Sequence, residues 1–330
     1  MSPIPMTRRG LMTAGAAGLA LGAAGLVRPA IAQTPVGLQL SWMHSVQFAG
    51  SYIAQRNGWW RAAGLDVTLL QGGPNAPVEP PVVAGSALVG ISAADYAAAA
   101  VAQGAPFRII GVAMQKNPFA IASLPDNPVR VPADLPDKRI GMAVANTPVL
   151  QALCTLNGID MGAIRIVPTQ YSAQPLLAGE VDCLLCWETD LPVAMQIQGL
   201  HPETMLLADH GYVLHSQTYI ATDDSIANRR ADLVALMAGE VRGWDACRAD
   251  PDAAADLTVA MFPDAGLDPD TQKLQIRRQL PLMVSDVTDA QGFGLWSDES
   301  VQATIRTLSL MGRTVTPDLW DRSILDAVHG

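Results

Sequence analysis

The repeating order of strand, loop and helix is the feature that most constrains the fold of this chain. Short apolar segments predicted to be strands alternate with predicted helices from residue 36 to residue 113, and the alternation begins again at Arg139. Such an order favours two α/β units with mainly parallel sheets. The strand predicted at 107–113 is continuously apolar, which is typical of a strand covered on both faces.

The predicted elements follow from this pattern. The predicted strands are 36–40, 65–70, 88–91, 107–113, 139–144, 164–167, 181–187 and 218–222. The predicted helices are 47–63, 80–85, 94–103, 149–157, 173–178, 192–198, 229–248, 251–261, 269–279, 299–311 and 317–328. Residues 123–136 contain four prolines and no helical periodicity, which predicts a linker-like break between the two units.

The charge of the chain excludes two classes of partner. Its 330 residues include 21 Lys and Arg against 31 Asp and Glu, which gives a formal net charge of -10. An acidic chain repels phosphate backbones, so we expect no nucleic-acid partner. The same balance disfavours adhesion to an anionic membrane surface.

Residues 1–32 have the pattern of an export signal. The pair Arg8-Arg9 precedes eighteen uncharged residues at 10–27, and the small-x-small sequence at 30–32 offers a cleavage site. A membrane anchor is the alternative, because eighteen residues are just enough to span a bilayer. The glycines of the segment and the cleavage site favour a cleaved signal, and the arginine pair favours the twin-arginine export machinery over the general secretory route. We therefore predict a periplasmic protein that is soluble after cleavage.

The sequence contains none of the local motifs typical of common enzyme classes. No G-x-S-x-G, P-loop, G-x-G-x-x-G or H-E-x-x-H pattern occurs, and the five histidines are scattered singly. We therefore expect no enzyme activity, no cofactor and no metal. Cys183 and Cys186 have C-x-x-C spacing but lie in the apolar run 181–187, so we predict buried thiols in a strand.

Aromatic and polar side chains follow the predicted strands. Loops after the strands of an α/β sheet converge on the crevice where ligands bind. Aromatic faces stack on flat rings, and carboxylates and amides hydrogen-bond amino and ring-nitrogen groups. The candidate ligand-binding residues are Trp42, His44, Asn75, Asp95, Tyr96, Phe119, Asn146, Trp187, Glu188, Asp190 and Tyr212.

Several of these candidates have a structural alternative. Asp95 and Asn146 each lie at the start of a predicted helix, where they would serve as caps, and Tyr212 would belong either to a hinge or to the site. Glu188 and Asp190 follow a buried strand side by side, which favours a functional role. The loops contain no cluster of Arg or Lys, which weakens the prediction of a strongly anionic ligand.

Segments spread over most of the chain resemble a known family. They include 38–42, 47–50, 57–60, 116–119, 176–182 and 206–212. In this order they are similar to periplasmic substrate-binding proteins of the thiamine-pyrimidine-precursor group. That group is itself similar to the binders of aliphatic sulfonates, taurine and nitrate.

The resemblance implies a type II periplasmic-binding-protein fold, in which two α/β lobes are joined by a two-segment hinge with the ligand cleft between them. Residues 33–120 and 221–330 would form one lobe and 124–215 the inserted second lobe, with crossings at 119–124 and 215–222. It also implies a monomeric receptor that closes around a small molecule by hinge motion. The receptor would deliver this molecule to an inner-membrane ABC permease with its ATPase.

The sequence departs from the family pattern at three expected contacts. The sequence Thr-Asp-Leu-Pro at 189–192 stands where many members have Thr-Asn-Glu-Pro, Cys183 and Cys186 replace small or aromatic residues, and His44-Ser45 replaces Pro-Asn. Two ligand classes therefore stay open: a small aromatic heterocycle, with a thiamine pyrimidine precursor as the leading hypothesis, and an anion such as an aliphatic sulfonate, taurine or nitrate. An exported enzyme similar to the pyrimidine synthases is a less favoured third hypothesis.

Overall fold

Two five-stranded sheets dominate the part of the chain that the computed structural model describes, residues 33–73 and 76–330. The predicted export signal, 1–32, and the candidate residue Asn75 lie outside these residues. In chain order the strands are β1 Thr34–Gln39, β2 Leu65–Leu70, β3 Val89–Ser92, β4 Phe107–Met114, β5 Phe119–Ser123, β6 Arg139–Met142, β7 Arg165–Pro168, β8 Cys183–Trp187, β9 Glu203–Leu206 and β10 Ser216–Thr222.

Both sheets have the same arrangement of strands. The first sheet has the order β2-β1-β3-β10-β4 and the second the order β7-β6-β8-β5-β9. In the first sheet β10 is antiparallel to its two neighbours, and in the second sheet β5 is antiparallel to its two neighbours. The other pairs of strands are parallel. The predicted α/β class is confirmed, and each sheet is mixed because it contains one strand that comes from the chain's passage between sheets.

The chain passes from the first sheet to the second between Met114 and Phe119, and it returns between Leu206 and Ser216. The strands of the first sheet thus come from 34–114 and 216–222, and those of the second from 119–206. The segments 119–124 and 215–222, which the resemblance suggested as crossings, lie for most of their length in β5 and β10.

The helices of the described residues surround the two sheets. They are α1 Ala49–Arg56, α2 Trp59–Ala62, α3 Glu79–Val83, α4 Ala94–Ala102, α5 Thr147–Asn157, α6 Gln174–Leu177, α7 Leu191–Ile197, α8 Asp223–Asn228, α9 Arg230–Ala249, α10 Pro251–Met261, α11 Pro269–Gln279, α12 Asp286–Gln291, α13 Asp298–Leu310 and α14 Ser323–His329. Across residues 33–73 and 76–330, none of the helices is long and apolar enough to cross a membrane.

The single helix predicted over 47–63 is wrong. A 3-10 turn at Val46–Phe48 leads into α1, and α1 ends before Gly58, whose φ of 67° lies in the left-handed region. A glycine adopts this conformation at little cost, so the helix stops there and α2 starts in a new direction. The indole of Trp60 in α2 donates a hydrogen bond of 2.9 Å to the carbonyl of Leu236 in α9.

Buried aliphatic side chains fill the space beside both sheets. Ile109, Ile110 and Val112 of β4 are fully buried, and so is Ile121 of β5. Each such side chain stabilises the fold by about 1.5 to 3 kcal/mol relative to exposure to water. Because β4 and β5 are both buried, the four residues that connect the two sheets at this point are held at both ends.

The cysteines of β8 are buried, unpaired thiols. Cys183 and Cys186 lie three residues apart on one strand, so their side chains point to opposite faces of the sheet. Burial raises the pKa of the Cys183 thiol to about 12 and that of Cys186 well above its usual value. The C-x-x-C spacing of these residues is consequently a feature of packing.

Candidate ligand-binding site

The strand topology brings the carboxyl ends of the two sheets together. Ser216, the first residue of β10, pairs with Met114 at the carboxyl end of β4. Phe119, the first residue of β5, pairs with Trp187 at the carboxyl end of β8. Only four residues separate Met114 from Phe119. Loops that follow the parallel strands of either sheet must therefore lie near the same crossing, which is where open α/β sheets bind ligands.

Three aromatic rings lie around the crossing. The ring of Phe119 contacts the edge of Trp187, with centroids 6.2 Å apart, and that of Tyr212, with centroids 6.5 Å apart. Tyr212 is fully buried, and its hydroxyl lies 3.5 Å from the sulfur of Met311. Trp187 and Phe119 are half-buried. Tyr212 therefore packs beneath the crossing, while the other two rings keep part of their surface free.

Asp190 is held in a small hydrogen-bond network. The Tyr171 hydroxyl donates to Asp190 Oδ2 at 3.0 Å and accepts from the backbone N–H of Trp187 at 3.2 Å. The amide of Gln275 donates to Asp190 Oδ1 at 3.4 Å. Burial raises the pKa of Asp190 to about 6, although the bond from Tyr171 opposes the rise. The carboxyl group thus changes charge close to neutral pH.

Glu188 forms an ion pair with Arg278 of α11. The two side chains are only 17% and 20% exposed, respectively. Burial raises the pKa of Glu188, and the charge of Arg278 opposes this rise. The second carboxylate oxygen, Oε2, is buried and makes no hydrogen bond of good geometry within the described residues, although the Thr204 side chain is close enough to the carboxylate to oppose the rise in its pKa. A buried acceptor without a partner is costly, so this oxygen offers a place for a donor from a ligand.

The loop after β1 supplies Trp42 and His44 from the first sheet. Trp42 is 40% exposed, and its carbonyl accepts a hydrogen bond of 3.1 Å from the N–H of Gly72, which follows β2. A Cβ atom at Gly72 would lie 2.3 Å from the carbonyl oxygen of Leu40. Glycine is therefore required for the two loops to approach each other.

His44 is part of a packed aromatic cluster. Its ring stacks on Phe262 with centroids 3.8 Å apart, and its Nδ1 lies 3.0 Å from the hydroxyl of Tyr52. Burial lowers the pKa of His44. Much of the ring's contact surface is thus occupied by protein, which distinguishes it from the exposed ring of Trp42.

Asp95 and Tyr96 begin α4, close to the return crossing. The N–H of Ala94 donates a hydrogen bond of 3.1 Å to the carbonyl of His215, which precedes β10. Burial raises the pKa of Asp95, an effect that the N–H groups of Asp95 and Tyr96 oppose. The ring of Tyr96 is 65% exposed. Asp95 lies inside the first turn of α4, and no side-chain cap hydrogen bond is present at the start of this helix, so its capping alternative is not realised.

Asn146 immediately precedes α5, and its side chain makes no capping hydrogen bond to that helix. Its alternative role as a helix cap is therefore not realised in this structure. The side chain is half-buried after β6, at the same end of the second sheet as Trp187.

Three polar residues of this region were not among the sequence candidates. Tyr171 follows β7, so the rule that selected the other loop residues applies to it as well. Gln275 and Arg278 lie in α11, more than 80 residues after the carboxylates they contact. Their sequence contains no local signal for such a role, because only the return of the chain brings α11 to β8.

Two cavities lie elsewhere on the molecule. One of about 590 Å³ is lined by residues that include Arg108, Asp223 and Arg322, and one of about 370 Å³ adjoins it near Phe107. These residues lie at the start of β4 and beyond the end of β10. This end of the strands is opposite the end at which the chain crosses between the sheets, and neither cavity is lined by a candidate residue. Among residues 33–73 and 76–330, no group of three or more His, Cys, Asp or Glu is placed to hold a metal ion.

Comparison with known families gives one match. Residues 45–254, well over half of the chain, match the model of the family described as NMT1/THI5 like. The matched range includes both crossings, β8 and every described candidate residue except Trp42 and His44.

Comparison with individual proteins gives relatives with different names. A protein of Chloroflexus aurantiacus named riboflavin-binding protein RibY is 24% identical over 269 residues, which cover 78% of this chain and 76% of that protein. The periplasmic aliphatic sulphonate binding protein SsuA of Escherichia coli superposes with a TM-score of 0.61 and 16% identity, covering 84% of this chain and 92% of SsuA. The desulfurization enzyme DSZB also superposes with a TM-score of 0.61, at 14% identity and with 89% of this chain and 98% of the enzyme covered. At these identities the superpositions show the fold alone.

Proposed function

Because the chain belongs to the NMT1/THI5-like family, we propose that it is the extracytoplasmic solute-binding receptor of an ABC importer. The observation that carries the proposal is the segment 187–190. It places an incompletely buried indole beside a carboxylate oxygen without a partner and a second carboxyl group whose pKa is about 6. The periplasmic-binding-protein fold supports the same role, since a ligand that contacts both lobes would favour the closed form.

The proposed ligand is a small aromatic heterocycle, with a thiamine pyrimidine precursor as the leading example. Trp42 and Trp187 would contact the two faces of the ring, with Tyr96 or Phe119 at its edge. Glu188 and Asp190 would accept hydrogen bonds from an amino group. Either Asn75 or Asn146 would link the two lobes through the ligand. The name of the Chloroflexus relative, riboflavin-binding protein RibY, is consistent with a ligand that has a flat ring.

An anion such as an aliphatic sulfonate, taurine or nitrate is the second candidate, and Arg278 is the observation that favours it. Its guanidinium carries five N–H donors, and the bond to Glu188 uses Nη1. The remaining donors suit a planar or tetrahedral anion. The name of the SsuA neighbour is consistent with this class of ligand.

We propose that the receptor releases its ligand unchanged. Its export through the twin-arginine machinery, cleavage after residue 32, periplasmic location and delivery of the ligand to an inner-membrane permease with its ATPase belong to the same proposal. The fold is also that of a desulfurization enzyme, so the fate of the ligand has to be measured directly.

A thermal-shift screen tests the proposal. The full chain would be expressed and purified from the periplasmic fraction. Mass spectrometry of the purified protein is expected to give the mass of the chain from Gln33 to Gly330. The panel would contain thiamine pyrimidines, thiamine, riboflavin, nucleobases, taurine, alkanesulfonates and nitrate. A ligand at 100 times its dissociation constant stabilises the protein by about 2.7 kcal/mol.

A shift with pyrimidines or riboflavin and none with the anions is the expected outcome. A shift with sulfonates alone would replace the first ligand class by the second. A ligand recovered in altered chemical form after denaturation of the complex would overturn the receptor assignment in favour of an enzyme.

A further inference from the structure

Helix α11 is fixed to the loop after β1, on the side of the first sheet. The Oε1 atom of Gln272 accepts a hydrogen bond of 2.8 Å from the N–H of Val46. At the last residue of the helix, the amide of Gln279 donates to the carbonyl of Gln47 at 3.3 Å. Both glutamine side chains belong to buried residues. The helix therefore moves with the loop that connects β1 to α1.

The same helix contacts the segment after β8, on the side of the second sheet. The amide of Gln275 donates to Asp190, and Arg278 forms its ion pair with Glu188. Gln272 also donates to the Oε1 atom of Gln275 at 2.8 Å. Residues 272, 275 and 279 recur at the spacing that places side chains on one face of a helix. One helix face thus joins two loops that belong to different sheets.

We propose that α11 is a latch that holds the two lobes together in the absence of ligand, through Arg278 on Glu188 and Gln275 on Asp190. These two contacts join residues of different lobes, so they exist in the closed form and are lost when the lobes separate. A contact shifts an equilibrium only if it differs between the two states, and these contacts do. The latch presupposes the hinge motion of the proposed function but no particular ligand.

The neighbouring arginine provides a matched control. Arg277 forms an ion pair of 2.7 Å with Asp252 of α10, and both side chains are well exposed. That pair connects two helices of the C-terminal part of the chain and does not reach β8. Loss of Arg277 removes the same charge from the same helix without touching the latch.

The distance between the lobes can be measured with one label on each. Val83, in α3 beside the first sheet, and Val144, after β6 of the second sheet, are exposed and suit substitution by cysteine. The four native cysteines are buried, so labelling of the parent protein reports any background. The two introduced cysteines would carry nitroxide spin labels. Pulsed electron paramagnetic resonance on the ligand-free protein then gives the distribution of distances between the two labels. It would be measured in the parent, Arg278→Gln, Glu188→Gln and Arg277→Gln backgrounds.

We expect a major population at short distance in the parent and in Arg277→Gln. In Arg278→Gln and Glu188→Gln the ratio of long to short distances should rise by about tenfold, the effect expected for loss of a charge-assisted hydrogen bond. Circular dichroism checks that each variant is folded. Because Arg278→Gln and Glu188→Gln each remove one partner of the same ion pair, either variant tests the latch if the other fails to fold.

Three results would overturn the latch: a parent that is already open, distributions of both latch variants that match the parent, or an equal shift in Arg277→Gln. A failed ligand screen leaves these distances unaffected, so the latch and the proposed function fail separately.

Discussion

The loop after β1 and the loop after β8 each follow a parallel strand at the carboxyl end of its sheet, but they use their polar groups differently. In the first loop, His44 is bonded to Tyr52 and stacked on Phe262. In the second, Glu188 keeps a buried oxygen without a partner, and the pKa of Asp190 is raised to about 6. The strand topology therefore brings both loops to the crossing, and the packing around each loop determines whether its polar groups stay available to a ligand.

The largest effect is expected at Asp190. Its pKa is 3.8 in an unfolded chain and about 6 in the fold, so the folded state holds the proton more tightly. The contribution of this group to stability is complete below pH 4 and is lost as the pH rises through 6, by on the order of 3 kcal/mol. Asp190→Asn should remove this slope. Urea unfolding of both proteins between pH 4 and pH 7 measures it, and parallel curves would contradict the raised pKa.

The same titration affects a ligand that carries an amino group. Such a ligand is bound best by the ionised carboxylate, so its affinity should increase as the pH rises from 5 to 7, and Asp190→Asn should abolish the increase. An affinity that falls over this range would favour the anionic class of ligand.

Trp187→Ala should weaken the binding of an aromatic ligand by about 1 to 3 kcal/mol, as the loss of a stacking partner does elsewhere. Calorimetry with the ligand from the screen measures this change. Trp187→Phe is the matched control, because it keeps an aromatic face at the same position and should retain most of the affinity. An unchanged affinity in Trp187→Ala would remove the indole from the site.

His44→Ala should act on stability instead. It removes a stacked ring and the partner of the Tyr52 hydroxyl, which should cost about 1.5 kcal/mol of unfolding free energy. Affinity should stay within about twofold of the parent, since a ring already committed to packing adds little to a ligand. A tenfold loss of affinity with unchanged stability would show that both loops serve the ligand and would end the contrast between them.

The smallest effect on stability is expected at Asn146. Its side chain makes no capping bond, so Asn146→Ala should change the unfolding free energy by less than about 0.5 kcal/mol. Ser297 accepts a hydrogen bond from the N–H of Ser300 at the start of α13, and Ser297→Ala should cost about 1 kcal/mol. Equal losses in the two variants would mean that Asn146 is a cap. A weaker affinity in Asn146→Ala alone would support its proposed role between the lobes.

The predicted secondary structure is most accurate where local patterns are strong. The strand at Leu65–Leu70 and the helices at Pro251–Met261 and Pro269–Gln279 have the predicted bounds. Strands β5 and β9 were missed because neither leads into an α-helix, so neither fits the repeating order of strand, loop and helix. The helical prediction over 317–328 failed in part, since a 3-10 turn at Pro317–Leu319 is separated from α14 by three residues that are not helical.

The candidate site divides in the same way. Trp187, Glu188 and Asp190 were chosen as candidates from the sequence because they lie at or just after the end of a buried apolar strand, and that position is local information. Whether a carboxylate there is free, paired or protonated depends on what lies against it. Arg278 and Gln275 belong to α11, and no pattern in the sequence near Glu188 predicts these contacts.

The sequence by itself determined the α/β alternation, the resemblance to a family of receptors and the loops that carry polar side chains. Each of these depends on residues close together in the chain, such as the period of the apolar positions or a side chain at the end of a strand. The tertiary structure decided the order of the strands, the antiparallel places of β5 and β10 and the partners of the two carboxylates. Those depend on contacts between distant segments, and the energy of a charge is set by the groups and the solvent around it after the chain has folded.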